Sequence, residues 1–173
     1  LLIGSEGTLG IITSTILKTF PIPKDPVSIF LSINTLADVL FVFEKISREF
    51  SERILAFELI KMTGIDFIEE TGFTIKNPFN KKTNWKVLIE IDVNLGPINL
   101  REIIENTFYD LLLENKIVEV FFATNINQRN EFWKIRELIP AANRKKGSIC
   151  SNDISVPIEK IPEFIKKLDN SIY

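Results

Sequence analysis

The chain has 173 residues, 45% of them apolar and 25% charged, with a net charge of −2. No basic stripe argues for nucleic acid, no apolar run nears the ~20 residues that span a bilayer, and no basic-then-apolar leader opens the sequence. Histidine is absent, which removes the commonest general base and metal ligand, and the single Cys150 can form neither an internal disulfide nor a zinc site.

Leu1 to Ile3 and Ile11 to Phe20 read as strands on either side of a turn with glycine at positions 4, 7 and 10, and Ile12, Ile16 and Leu17 are the expected core contacts. Three prolines at 21, 23 and 26 rule out helix or central strand, so the connector there is expected to separate residues 1–25 from a second domain, 26–173. Val27 to Asn34 alternates as a strand, and Leu36, Val39, Leu40, Phe43, Ile46 and Phe50 recur at helical spacing after Asn34-Thr35. Ile54 to Ile60 reads as a strand, Ile65 to Glu70 as a short helix ending near Gly72, and 77–84 as a polar loop.

Trp85 to Val93 is a strongly alternating strand, with Val87, Ile89, Ile91 and Val93 on one side and Lys86, Glu90 and Asp92 mostly on the other. Asn99 with Glu102 three residues on marks a helix start, and Leu100, Ile103, Ile104, Phe108, Leu111 and Leu112 give that helix its apolar face. A strand over Ile117 to Thr124 precedes a long helix over Asn125 to Lys146, with Phe132, Ile135, Ile139 and Ala142 inward, a kink expected at Pro140 and Gly147 as its C-cap. Ile149 to Val156 reads as a last strand and Pro157 to Ile172 as a last helix. This order predicts an α+β domain, a ferredoxin-like antiparallel sheet with helices on one face and the other face left for a partner. Cys150 is expected to pack as a small buried hydrophobe, and one cysteine fits a reducing, cytoplasmic setting.

The opening string Gly4-Ser5-Glu6-Gly7-Thr8-Leu9-Gly10-Ile11-Ile12-Thr13 is the first chemical signal. Its glycines allow φ > 0 and close approach to another molecule, and its amides could cradle a phosphate; spacing alone equally suits a plain turn between buried strands. The whole string closely resembles the G-S-E-G-T-L-G-I-I/V-T signature of FAD-linked oxidases of the vanillyl-alcohol oxidase type, in the branch of D-2-hydroxyacid dehydrogenases acting on D-lactate, glycolate or D-2-hydroxyglutarate. The resemblance implies that Gly4, Ser5, Gly7, Thr8, Gly10 and Ile12, with Glu6 beside them, contact FAD, and that residues 1–25 end a FAD-binding domain whose body is elsewhere.

Two further strings carry the same resemblance. Trp133-Lys134-Ile135-Arg136-Glu137 is similar to the family's W-x-L/I-R-E, whose arginine binds the substrate carboxylate; on pattern alone Arg136 suits a solvated or Glu-paired role as well. Ser151-Asn152-Asp153-Ile154-Ser155-Val156-Pro157 is similar to K-x-D-V/L-S-V/L-P, with Asp153, Ser155 and Pro157 matching and Ser151 standing where the family has a carboxylate-binding lysine. The resemblance places a histidine-rich segment, with metal ligands and the catalytic base, beyond the matched stretch. No catalytic residue or metal ligand is therefore assigned here, and Glu58, Glu90 and Asp92 are strand carboxylates that spacing does not single out.

With no initiator Met and a motif at the outset, the chain is expected to be a segment of a longer protein, incomplete at its C-terminus and inactive alone, from an enzyme that oxidises a D-2-hydroxyacid. The alternative expectation is a non-catalytic α+β module that forms a homodimer or docks onto a separate FAD-domain chain.

Overall fold

The computed structural model of the chain describes residues 2, 4–19, 22–23, 25–94, 97–151 and 153–172. Four strands, β1 (Val27–Ile33), β2 (Ile54–Lys61), β3 (Trp85–Ile91) and β4 (Glu119–Phe122), form one antiparallel sheet in the order β2-β3-β1-β4. The helices are α1 (Leu36–Phe50), α2 (Met62–Glu70), α3 (Leu100–Leu113), α4 (Ile126–Lys146) and α5 (Ile161–Ile172), with short 3-10 turns at Ser51–Arg53 and Ile158–Lys160. With α2 taken as an insertion, the β1-α1-β2-β3-α3-β4 order is the ferredoxin-like arrangement expected from the sequence.

Strand alternation divides the interior in two. On one face Val27, Ile29, Leu31 and Ile33 of β1 and Val87, Ile89 and Ile91 of β3 pack with α1 and α3. On the other, Phe30, Leu88 and Ile60 pack under α2 and α4 through Ile65, Ile68, Phe132, Ile135 and Ala142. The α+β class is as expected, but helices cover both faces rather than one. The second face is apolar along its middle row, where Leu88 lies beside Phe30 and Phe30 beside Phe121, so it needs a cover of its own. Lys86 and Glu90, expected mostly on an outer face, are accordingly buried.

Local chemistry sets the helix starts. Thr35 accepts the Asp38 amide at 3.1 Å ahead of α1, and Asn125 accepts the Gln128 amide at 3.0 Å while Gln128 Oε1 receives the Thr124 amide. Asn99 precedes α3 without a side-chain cap. Helix α4 runs on through Pro140 as one element.

Two expected strands do not form. Residues 11–19 take no regular structure, and Ile12, Ile16 and Leu17, expected in the core, are 52%, 102% and 76% exposed. Residues 149–151 and 153–156 are also irregular, and Cys150, expected to be buried, is exposed. In both stretches the apolar side chains are in place, but among the described residues no neighbouring strand takes up the backbone N–H and C=O groups, and an unpaired strand is not stable in water. Leu1, Ile3, Phe20, Pro21 and Lys24, parts of the first expected strands and the connector, lie outside the described residues.

Candidate functional site

Arg136 projects from α4, 44% exposed, beside β2. Alternation along β2 directs Glu58 to the α4 side, and the Glu58 Oε2 accepts the Arg136 Nε–H at 3.2 Å. Both line an open cleft of about 470 Å³ with Thr63, Gly64 and Phe67 of α2 and Ile139, Pro140 and Asn143 of α4. Helical spacing brings Arg136, Ile139, Pro140 and Asn143 to one side of α4. The guanidinium is thus held on its Nε side, while Nη1 and Nη2 donate no hydrogen bond among the described residues. A fork with both terminal nitrogens open suits a carboxylate.

One helical repeat earlier, Arg129 anchors the same helix. Its Nε and Nη2 donate to Glu90 at 2.6 and 2.9 Å, and Trp133 Nε1 and Ser28 Oγ donate to the same carboxylate at 2.8 and 2.6 Å. Glu90 is only 4% exposed. Burial pushes its carboxyl up, but the hydrogen bonds from Arg129, Ser28 and Trp133 and the Arg129 charge outweigh that and hold it below the usual 4.5. A carboxyl lowered in the folded state adds stability that is complete above the unfolded value and is lost as pH falls through the folded one. Urea midpoints are therefore expected to fall as pH drops below about 4.5, and Glu90→Gln is expected to flatten that decline relative to wild type.

The glycine turn is built from its own backbone. Gly4, Glu6, Gly7 and Gly10 have φ of 80°, 48°, 82° and 154°, and the Thr8 amide reaches the Ser5 carbonyl at 2.9 Å. The Ser5 and Thr8 hydroxyls return to the carbonyls of Leu2 and Ser5. Ile12 is exposed, and among the described residues nothing stands within 4 Å of where a Cβ would lie at Gly4, Gly7 or Gly10 and the amides of Gly7, Leu9 and Gly10 have no partner. This open strip of donors, without side-chain bulk at its three glycines, fits a flat ring or a phosphate.

Ser151 and Asp153 are exposed on the irregular stretch after α4, and among the described residues no hydrogen bond or ion pair joins either to Arg136. Nor do the described residues gather three or more His, Cys, Asp or Glu that could hold a metal ion, and no helix among them is long and apolar enough to cross a membrane. Sequence reasoning missed Glu58 as the partner of Arg136 and the tie from Glu90 to Arg129 and Trp133. The available signal was two arginines seven apart on one helix, facing two carboxylates on strands whose alternation sends them to the same side.

The profile of the family described as "FAD linked oxidases, C-terminal domain" matches residues 22–172. The chain belongs to that family. Over 168 residues, 97% of this chain and 30% of the relative, it is 29% identical to the mitochondrial D-2-hydroxyglutarate dehydrogenase of Arabidopsis thaliana. It is 26% identical to the mitochondrial D-2-hydroxyglutarate dehydrogenase of Rattus norvegicus over 94% of this chain and 30% of the relative. It is 28% identical to the D-lactate dehydrogenase of Anaerostipes hadrus over 95% of this chain and 35% of the relative. The chain therefore spans about a third of the length of the curated relatives it matches. The FAD-linked family and these dehydrogenase relatives imply FAD as cofactor, and the open glycine strip is a donor set that suits it.

Proposed function

We propose that this chain forms the substrate domain, with a short tail of the FAD-binding domain, of an enzyme that oxidises a D-2-hydroxyacid to the 2-oxoacid. The observation that carries this reading is Arg136, lining a cleft with its two terminal nitrogens open, in a chain whose similar relatives are D-2-hydroxyacid dehydrogenases. Bound FAD would supply the hydride acceptor. Residues 1–25 belong to the FAD side of the boundary and 26–173 to the substrate side. Gly4, Ser5, Glu6, Gly7, Thr8, Gly10 and Ile12 lie along the cofactor, with backbone amides as donors.

Arg136 holds the substrate carboxylate through paired N–H···O bonds and so fixes the α-carbon. Ser151 and Asp153 approach the same carboxylate and hydroxyl from the stretch after α4. The proton released from the α-hydroxyl passes to a group outside these residues, and the chain alone turns nothing over. A cytoplasmic setting is read from the single cysteine; cell fractionation would distinguish it from the mitochondrial setting that the names of the Arabidopsis and rat relatives carry.

The test is a chimera in which this chain replaces the matched segment of the Arabidopsis relative. It is expected to retain flavin and to reduce an artificial electron acceptor with D-2-hydroxyglutarate or D-lactate. A chimera that holds flavin and oxidises neither would overturn the reading. In the same chimera Ser151→Lys restores an ammonium where a hydroxyl stands and adds a charge-assisted contact of about 1.5–3 kcal/mol. The expected result is a KM lower by roughly one to two powers of ten; an unchanged KM would remove Ser151 from the site.

A second reading has an observation of its own. Ile11, Ile12, Ile16 and Leu17 are all exposed on the irregular stretch before the domain, an apolar run that favours association. On that reading the chain is a non-catalytic module that dimerises or docks onto a separate FAD-domain chain, and light scattering of the pure protein would show a stable dimer that ignores added FAD.

A further inference from the structure

Glu58 is out of place by the logic of its own row. Its neighbours across the sheet at that level are Leu88, Phe30 and Phe121, so the row is apolar except for this carboxylate at its β2 end. The pair that Glu58 makes is partly exposed, 34% for its own side chain and 44% for Arg136, and such pairs add little to folding. The carboxylate lies in the same cleft as the arginine fork, where it takes the Nε–H and leaves Nη1 and Nη2 for another acceptor.

An arginine side chain has long rotamer freedom, and holding it still before a ligand arrives lowers the entropic cost of capture. We propose that Glu58 is a positioning residue that presets the Arg136 guanidinium for a ligand carboxylate. The role rests on the carboxylate-clamp reading of Arg136. Glu58 touches no substrate in this role; it fixes the plane and reach of the fork that does, which the rigid planar guanidinium allows from a single bond at Nε. The one-sided bond matters. A carboxylate on both terminal nitrogens would compete with the ligand, whereas one on Nε leaves the paired donors open.

The experiment titrates D-2-hydroxyglutarate into the purified chain by calorimetry, beside the resonance of the Arg136 Nε–H. Glu58→Ala is expected to weaken binding roughly 3- to 10-fold, the span set by freeing one long side chain. It should also broaden or shift that resonance in the ligand-free protein and leave the melting temperature unchanged. Glu58→Gln keeps an oxygen acceptor for Nε and is expected to recover much of the affinity, a rescue that a merely structural role would not produce. Binding unchanged or tightened in Glu58→Ala, with Arg136→Ala still abolishing it, would overturn the role of Glu58 and leave the Arg136 clamp standing. No binding by the wild-type chain would overturn both.

Discussion

Arg129→Ala is expected to lower the unfolding free energy of this chain by about 3–5 kcal/mol, because it leaves Glu90 charged, buried and without its bidentate partner. Trp133 and Ser28 still donate to that carboxylate, but neither supplies a positive charge. Against a typical total of about 5–15 kcal/mol this is a large share, and for a chain of this length it corresponds to roughly 10 °C in Tm. Arg129→Lys keeps the charge and loses the fork, so an intermediate loss is expected. The double variant Arg129→Met with Glu90→Leu removes both charges and is expected to recover most of the stability, since apolar replacement of a buried pair is often near neutral. Urea unfolding of the four proteins checks this. A single variant within about 0.5 kcal/mol of wild type would mean that the pair is solvated and does not tether α4 to the sheet.

Arg136→Ala is expected to do the reverse, with little change in folding and a large change in chemistry. The pair with Glu58 is partly exposed, and such a pair is worth at most about 1 kcal/mol. In the chimera, however, the substrate loses two charge-assisted hydrogen bonds, so kcat/KM for D-2-hydroxyglutarate is expected to fall at least about 100-fold. Most of this should enter KM, because the carboxylate is held alike in ground and transition states; a part should enter kcat through misplacement of the α-carbon. Arg136→Lys should fall between, since an ammonium cannot present a planar fork. Steady-state kinetics of the three proteins separates these terms. A variant with unchanged KM would move the carboxylate site elsewhere.

The elements that were legible in the sequence are those whose pattern and partner agree. The alternation of Trp85 to Val93 predicted β3 because β1 and β2 on either side take up its backbone groups, and the apolar repeat from Leu36 to Phe50 predicted α1 because a helix satisfies its own backbone. The stretches 11–19 and 149–156 carry the same apolar signal, yet a strand needs a neighbour that pattern alone does not supply. The second helix layer was hidden for a related reason. Lys86 and Glu90 look like an outer face, and their burial is made tolerable by the contacts of Glu90 with Arg129, Trp133 and Ser28 and of Lys86 with Thr83 at 2.6 Å and with the face of the Phe79 ring.

The candidate site was legible as residues but not as an arrangement. Arg136 stood out through family resemblance, and a Glu-paired arginine was already one of its readings; that the partner is Glu58, 78 residues away, is a product of the β2 edge lying under α4. The glycine turn was legible in its backbone, since Gly4, Gly7 and Gly10 all take positive φ, and illegible in its surroundings, which are open rather than two flanking strands.

Titration of the isotope-labelled chain with D-2-hydroxyglutarate, followed at the Arg136 Nε–H and at the amides of Thr63, Gly64 and Asn143 that share its cleft, decides whether Arg136 holds a carboxylate. Saturable shifts at these positions, with a dissociation constant on the order of millimolar and lost in Arg136→Ala, are the expected result. Shifts that persist in Arg136→Ala, or that fall on other residues, would contradict it.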